Sequence, residues 1–448
     1  AAWIVWDRLD ADLRAQVEAM VGHEADRFLA PSPPFQILRD TKAEENAWNA
    51  SVVSLAACMF PDHPRAAARH EAAVRWHLSS FLTAADAASG RVVDGRPLRD
   101  WKLGANVHPD YTMENHDRVH PSYMGTITLN QIAHLAYRWA GRPAPEALDF
   151  NTKPVYELLK FFSHPDGRMH FPDGQDWELH RLTPMVHAIM NVLHGDAEAA
   201  YFERASLDTL RRMQARTGRT LLPQEYFFPS LPGMYVASYA NAFLFHAWWG
   251  DGAAPASDAA VQRRFAGVRR FDAGKFIAHR TAQGWSSFAW GTRAMGLAIP
   301  FADDLLGSPY EQGFVGRVAV AGLGGKAARD RIESAAPWAG TNAFTVAAIL
   351  ARAGGAVRQA VAMASLPDGS AVYLERLTAE RILTNVTVET GAIGVLNEPE
   401  WPHQAGPRRL RWEGGGREID GRQSAEPFDI PRSEERRGGK ECRSRGSP

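Results

Sequence analysis

The sequence predicts an α+β protein in which a domain of helical hairpins precedes an antiparallel β domain. Two observations support this class. From Asp10 to about Gly250, apolar residues recur at helical spacing. Beyond a small-residue linker at 250–260, segments rich in β-branched and aromatic residues alternate with turn signals. Consecutive helices followed by consecutive strands favour segregated layers, so a doubly wound nucleotide-binding fold is disfavoured.

The helices of the first half can be placed from their apolar stripes and end signals. Thr41 and Glu44 have the spacing of a capping box, which predicts a helix start, and Pro61 ends that helix. Pro184 suits a first helical position. The first apolar stripe consists of Leu13, Val17, Met20, Val21, Phe28 and Leu29. Further helices are predicted at 66–88, 123–140, 155–162, 184–193, 197–214 and 235–249.

The second half is predicted to begin after a linker and a short basic helix. We divide the chain into a helical domain at 1–250, the linker and helix at 251–270, a β domain at 271–431 and a tail at 432–448. Pro367-Asp368-Gly369 lies between two strand-like runs. Pro presets one backbone dihedral and Gly tolerates a positive one, so this triplet predicts a hairpin turn.

Composition excludes several classes of protein. The 448 residues suffice for two or three domains with a sizeable core. Fifty basic and 51 acidic residues leave a net charge of −1, so no global field attracts nucleic acid or an anionic membrane. No run of 18 apolar residues predicts a membrane span. Two cysteines, Cys58 and Cys442, cannot build a disulfide scaffold or a cysteine-rich metal site.

The last 17 residues differ from the rest of the chain. They contain six basic and three acidic side chains and almost no apolar ones. A disordered basic tail is one interpretation. We favour the other, that the segment is the in-frame translation of a sequencing adaptor and is not native. We then expect the natural protein to continue beyond Pro431 and to begin before Ala1. Its location would be periplasmic or secreted with a leader, and cytoplasmic without one.

Histidines indicate where chemistry is concentrated. Nine of the sixteen lie between His108 and His194. The densest polar stretch, 104–125, is interrupted by Pro109 and Pro121, and such a loop between helices favours function over simple helix capping. Its candidate residues are Asn106, His108, Asp110, Tyr111, Glu114, Asn115, His116, His120 and Tyr123.

Two further segments carry polar and aromatic candidates. The segment 164–184 is divided by Pro-Asp-Gly turn units, and it offers His170, Asp173, Asp176, Trp177, Glu178, His180 and Arg181. The segment 235–249 carries Tyr235, Tyr239, His246 and Trp249 at helical spacing, which is more typical of a core than of a site. Flat aromatic faces also stack on sugar rings, and four tryptophans lie beside these segments, namely Trp101, Trp177, Trp248 and Trp249.

A metal or nucleotide cofactor has little support. His116 and His120 have ligand spacing for a helix face, but Pro121 moves His120 out of helical geometry, and a third ligand is lacking. Phosphate-loop, dinucleotide-glycine and GxSxG motifs are absent from the sequence. We expect no required cofactor, and a structural divalent metal is not supported.

The Asn115-His116 pair stands in ENHDRVHP, and a DG-containing segment follows some fifty residues later, from Asp166. In these motifs the sequence resembles the heparinase II/III-like polysaccharide lyases. The resemblance implies an incomplete (α/α) toroid of helical hairpins followed by an antiparallel β-sandwich. It also implies that an Asn or His neutralises a uronate carboxylate, a His or Tyr removes the C5 proton and a Tyr protonates the leaving oxygen. Asn115 and His116 match the toroid pair, and His279 matches the histidine of the β domain.

The sequence departs from the family in more than one respect. Trp177 stands where the family shows a Tyr about eleven residues after the DG, so the phenol would come from Tyr239, Tyr235 or Tyr123. We assign Asn115, His116, Tyr239 and His279 as catalytic. The family's metal site in the β domain is not carried over. The expected substrate-binding residues are Trp101, His120, Tyr123, Trp177, His180, Arg181, Tyr235 and Arg280.

These residues favour a lyase that cleaves uronate-containing polysaccharides by β-elimination. The expected substrates are hyaluronan, chondroitin, heparosan or alginate, so the partner is an anionic polysaccharide rather than nucleic acid or membrane. An alternative is a toroid-type glycoside hydrolase with two carboxylates from Asp110, Glu114, Asp176 and Glu178. A third interpretation is a carbohydrate-binding surface without turnover.

Overall fold

A computed structural model describes residues 2–174, 184–218, 231–301, 307–308, 312–323, 329–391, 393, 407–412 and 415–420. Within these ranges, helices occupy the chain up to Phe265 and antiparallel sheets follow from Gly267. The predicted α+β class, helical hairpins before an antiparallel β domain, is confirmed. None of the described helices is both long and apolar enough to cross a membrane.

The helical half consists of α-helices joined by short 3₁₀ turns. The 3₁₀ turns are Ala2–Arg8, Leu98–Trp101 and Glu146–Asp149. The helices are α1 (Ala11–Asp26), α2 (Ala43–Met59), α3 (Ala66–Ser80), α4 (Ala84–Ala87), α5 (Pro121–Met124), α6 (Ile127–Gln131), α7 (Ala133–Trp139), α8 (Thr152–Phe162), α9 (Pro184–His194), α10 (Ala197–Thr217), α11 (Leu231–Trp249) and α12 (Asp258–Phe265).

Two short hairpins interrupt the helical half, and longer strands form the second half. The hairpin strands are β1 (Val92–Val93), β2 (Arg96–Pro97), β3 (Glu114–Asn115) and β4 (Arg118–Val119). The others are β5 (Gly267–Phe271), β6 (Phe276–Arg280), β7 (Gly284–Trp290), β8 (Ala294–Pro300), β9 (Arg317–Val320), β10 (Arg331–Ala339), β11 (Phe344–Arg352), β12 (Val357–Ser365), β13 (Ala371–Ala379), β14 (Val386–Glu389), β15 (Pro407–Trp412) and β16 (Gly415–Asp420), with a 3₁₀ turn at Ala353–Gly355.

The β domain is a sandwich of two antiparallel four-stranded sheets. One sheet has the order β5-β6-β7-β8 and the other β10-β11-β12-β13. Apolar side chains such as Ile277 and Phe288 of the first sheet pack against Phe344 and Met363 of the second. The predicted turn at 367–369 joins β12 to β13, and Gly369 has a φ of +85°. β9 pairs with β14, and β15 pairs with β16.

The first sheet also shares a core with the helical half. Phe161 and Phe162 at the end of α8 pack against Phe271, Phe276 and Trp285. Because alternate residues of a strand face opposite sides, β6 directs Phe276 and Ala278 to the helices and Ile277 to the second sheet. Sheet β5–β8 is therefore the middle layer between the helices and the outer sheet.

Several local predictions differ from the structure. The N-cap position of α2 is Lys42 rather than Thr41. The Thr41 hydroxyl accepts the N–H of Ala43, the first helical residue, and donates to the Asn106 carbonyl. Two predicted helices are divided, the one at 66–88 into α3 and α4 and the one at 123–140 into α5, α6 and α7. The first strand of the β domain begins at Gly267 rather than 271, since α12 ends at Phe265.

Arg280 joins the two halves through the carboxyl-terminal end of α8. Its side chain is fully buried, and its guanidinium donates to the carbonyl oxygens of Lys160, Phe161 and Ser163. The last carbonyls of a helix have no partner within the helix, and the helix dipole favours a cation there. Burial lowers the pKa of Arg280 to about 10, which still leaves it charged near neutrality.

Replacing Arg280 by Met should destabilise the protein by about 3 kcal/mol, because the buried carbonyls lose their donor while most of the side-chain volume is kept. Urea unfolding would measure this loss. The matched control is Arg270→Met on β5, where the arginine pairs with Asp272 at the surface. That control should change stability by less than about 1 kcal/mol. Equal stability of Arg280→Met and the wild type would contradict the assigned role.

Candidate active site

A tight hairpin presents the Asn115-His116 pair. Strands β3 and β4 pair Glu114 with Val119 and Asn115 with Arg118, which leaves His116 and Asp117 as the two turn residues. Their φ angles are +52° and +62°. Positive φ at both central residues is the requirement of a type I′ turn, and His and Asp tolerate it better than most residues. The imidazole of His116 is thereby exposed at the tip.

The hairpin is anchored to the segment that precedes α2. The Asp117 N–H donates to the Arg39 carbonyl, and the Thr41 N–H donates to the Glu114 carbonyl. Asn115 is buried, and its amide nitrogen donates to Asp40 Oδ1 over 2.9 Å. These bonds fix the turn, so the position of His116 is determined by backbone contacts on both sides.

Glu114, Asp117 and Val119 of the hairpin border a cleft between the two halves, whereas Asn115 and His116 are not among the residues that line it. The cleft has a volume of about 160 Å³. Gly274 closes its β-domain side, since a Cβ at that position would lie 2.8 Å from the Phe276 ring and 3.2 Å from Thr112 Oγ1. The lining residues are Leu38, Arg39, Glu114, Asp117, Val119 and Asp173 from the helical half and Ala273, Gly274, Lys275, Gly291 and Thr292 from the β domain.

Charged groups of both signs face this cleft. Arg39 and Lys275 supply cations from opposite walls, and Arg39 Nε pairs with Asp117 Oδ1 over 3.5 Å. Glu114 Oε1 lies 2.9 Å from His108 Nε2, and Glu114 Oε2 accepts from the Arg39 backbone N–H. Burial by itself would raise the pKa of Glu114, but these hydrogen bonds outweigh it and lower the pKa. Glu114 is therefore an ionised carboxylate near neutral pH.

Asp173 differs from Glu114 although both line the cleft. It is 8% exposed, and its Oδ2 accepts from the Val119 N–H over 2.9 Å. Among the described residues, no donor reaches Oδ1. Burial raises the pKa of Asp173 to about 7, against the opposing effects of the Val119 N–H and the Arg118 charge. Asp173 can therefore hold or release a proton near neutrality.

Aromatic rings and imidazoles fill the layer behind the cleft. His120 packs edge-on against Tyr123 and Phe171, and all three are buried. His170 stacks on Trp285 of β7 with ring centroids 5.0 Å apart. Burial lowers the pKa of His170 well below its usual range, so its imidazole is neutral. His120 and Tyr123, expected to bind substrate, lie in this packed layer rather than at the cleft surface.

Three of the residues assigned from sequence lie away from the hairpin. His279 is buried between the two sheets, and its Nδ1 lies 2.8 Å from Ser365 Oγ. Its neighbour Arg280 faces the other way and holds α8, so the structure brings neither to the cleft. Trp101 is packed in a separate cluster with Leu98, where Arg96 covers its ring.

The other residues assigned from sequence lie on α11 or in the segment after Gly174. Tyr239 is half-buried on α11, whereas the side chain of Tyr235 lies outside the described part of the structure. Trp177, His180 and Arg181 lie outside the described residues, as do Asp176 and Glu178. Of the remaining hydrolase candidates, Asp110 accepts from the backbone and hydroxyl of Thr112 and so shapes its own loop.

A second groove lies along α10. It has a volume of about 490 Å³ and is lined by His164, Pro165, Asp166, Tyr201, Arg204, Ala205, Asp208, Arg212 and Phe301. The Tyr201 hydroxyl donates to Asp258, and burial together with that carboxylate raises the pKa of Tyr201. Its phenol is therefore a poor proton donor, and this groove lacks the hairpin.

Metal-ligand geometry occurs once in the described part of the chain, at Glu157, Asp196 and Glu198. Lys160 is already central to that group, with its Nζ within 2.7 Å of an oxygen of each carboxylate. Burial would lower the pKa of Lys160, but these three bonds raise it. The cluster is therefore satisfied by an ammonium and ties α8 to the start of α10.

Sequence reasoning missed both cations of the cleft. Arg39 and Lys275 stand 236 positions apart in isolated contexts, and only the tertiary structure brings them together. Asp173 belonged to the second polar segment, but no signal distinguished it from its neighbours.

A buried serine, histidine and asparagine also meet, since His77 contacts Ser54 and Asn130. All three are inaccessible, and this network joins α2, α3 and α6.

Comparisons with known proteins identify a distant similarity. No protein-family model and no curated protein matches the chain. One similar solved structure is a point mutant of chondroitin AC lyase from Streptomyces coelicolor A3, with 14% identity and a TM-score of 0.42. The match covers 80% of this chain and 52% of that one, so this chain spans about half the length of the lyase. At this identity the similarity concerns the fold alone.

Replacing Asp173 by Asn should change how stability depends on pH. With its pKa raised to about 7, Asp173 keeps a proton in the native state that the unfolded chain has already released. As the pH rises from about 4 to 7, the free energy of unfolding of the wild type should therefore fall by about 1.4 kcal/mol per pH unit relative to that of Asp173→Asn. Urea unfolding of both proteins across this range would measure the difference. Parallel stability curves would contradict the raised pKa.

Proposed function

We propose that this protein is a polysaccharide lyase that cleaves uronate-containing chains by β-elimination beside the β3–β4 hairpin. The observation that carries the proposal is one interdomain cleft that holds cations from both halves and is bordered by Glu114, Asp117 and Val119 of the hairpin whose turn carries His116. Arg39 comes from the helical half and Lys275 from the β domain. The carboxylate of an acidic sugar is a group that these two cations can bind.

The chemistry of β-elimination explains the need for these cations. Removing the proton from C5 places a second negative charge on the adjoining carboxylate. Fixed donors must stabilise that charge as it develops. Arg39 can bind a carboxylate as a planar fork, and Lys275 adds a point charge from the opposite wall.

His116 is the proposed base and Asn115 the proposed neutral donor of the pair. A neutral imidazole is a suitable base near pH 7, and His116 is exposed at the end of an anchored turn. Asn115 is held by Asp40, so its amide is oriented before substrate arrives. No redox or nucleotide cofactor is required for this reaction. Glycosaminoglycans such as hyaluronan, chondroitin and heparosan, together with alginate, are the proposed substrates.

The proposal predicts an absorbance change from the new C4–C5 double bond when the protein is mixed with at least one of these polymers. His116→Asn should reduce the rate by about 10²-fold or more, because Asn tolerates the positive φ but cannot act as a base. The control is His23→Asn, on the exposed surface of α1, which should retain the wild-type rate.

Absence of the double bond with every uronate polymer, from folded protein, would reject the lyase proposal. New reducing ends without the double bond would favour the hydrolase instead. Binding without either product would favour a carbohydrate-binding surface. A wild-type rate for His116→Asn would leave the reaction in place and remove its assigned base.

A further inference from the structure

A lyase needs a proton donor for its leaving oxygen, and the described residues that line the cleft include no tyrosine. Three carboxyl groups belong to this lining, those of Glu114, Asp117 and Asp173, and Asp117 Oδ1 is paired with Arg39 Nε over 3.5 Å. Glu114 is held ionised by His108 and the Arg39 N–H, so it has no proton to give. We propose that Asp173 donates the proton to the leaving sugar oxygen, a role that rests on the proposed lyase function.

The geometry of Asp173 suits a donor. The Val119 N–H fixes Oδ2, which orients the carboxyl plane and leaves Oδ1 as the oxygen that carries the proton. Within the described part of the chain, Oδ1 has no hydrogen-bond partner although the residue is only 8% exposed. A buried polar atom without a partner is costly. Asp173 lines the cleft, but Oδ1 has almost no accessible surface, so a ligand oxygen must displace the groups that cover Oδ1 before it can accept this bond.

Burial, rather than the surrounding charges, keeps the proton on Asp173. Burial is the largest influence, and the negative charge of Glu114 on β3 acts in the same direction. Arg118 on β4 opposes them. The other charged groups lining this cleft are Arg39, from the segment before α2, Asp117 in the hairpin turn and Lys275 in the β5–β6 turn. The resulting pKa of about 7 matches the working range of a general acid.

The proposed step balances in protons and electrons. His116 takes the C5 proton, and the electron pair of the C5–H bond becomes the C4–C5 double bond. The C4–O bond breaks, and its electron pair stays on the leaving oxygen. Asp173 gives that oxygen its proton and becomes a carboxylate. Exchange with solvent then returns a proton to Asp173 and removes one from His116, so no further reactant is required.

The test compares two substrates in wild type and Asp173→Asn. One is the polymer that the wild type cleaves, and the other is a uronoside with fluoride at C4, which leaves without needing a proton. Asp173→Asn should lose about 10²- to 10⁴-fold in kcat on the polymer and less than about tenfold on the fluoride. The alkaline fall of the wild-type rate above about pH 7 should disappear in the variant.

The control variant is Asp94→Asn. Asp94 accepts the backbone N–H groups of Glu146 and Ala147 and does not line the cleft, so this change should leave both rates at the wild-type level. Circular dichroism melting would show that each variant is folded at the assay pH.

The outcomes separate the donor from the lyase. Equal losses on both substrates would make Asp173 a structural residue, and an unchanged polymer rate would remove it from the reaction. Either result overturns the donor assignment while the wild-type double bond still supports the lyase. No double bond from the wild type with any polymer overturns both proposals. A large loss on the polymer alone, with the alkaline fall abolished, supports the donor.

Discussion

The contact between Arg280 and the end of α8 is the constraint on which the rest of the structure depends. One buried guanidinium in β6 satisfies carbonyls that the helix cannot satisfy itself. The same strand contributes Phe276 to the core shared with α8. The β5–β6 turn, with Gly274 and Lys275, is thereby held against the loop that carries Thr112 and the hairpin. The cleft exists because these two halves are locked in one orientation.

Burial explains why so many histidines of this protein serve packing rather than chemistry. His77, His187 and His279 each form a hydrogen bond to a hydroxyl group inside the fold, and His170 stacks on a tryptophan. Desolvation lowers the pKa of each of them, so they remain neutral and act as polar aromatic rings. A carboxyl group responds to burial in the opposite direction, which is why Asp173 keeps its proton.

Periodicity is sufficient to predict the two halves and their order, and the Pro-Asp-Gly triplet predicts the turn at 367–369. The polar stretch interrupted by Pro109 and Pro121 also marks the loop that contains the hairpin. The roles of single residues could not be read in the same way. Thr41 has the spacing of a capping box, yet Lys42 takes the N-cap position and the Thr41 O–H donates to a carbonyl 65 positions away. Arg39 and Lys275 meet only after both halves have folded, and the neighbours His279 and Arg280 separate because a strand alternates its faces.

That alternation makes β6 intolerant of misalignment. A shift of one residue would drive the guanidinium of Arg280 into the apolar space between the sheets and would leave an imidazole facing the end of α8. Both consequences bury polar groups without their partners, so the shifted register is destabilised on both faces of the sheet. Only the native register of β6 therefore satisfies both faces of the sheet. The β domain must pair its strands correctly before it can pack against the helical half.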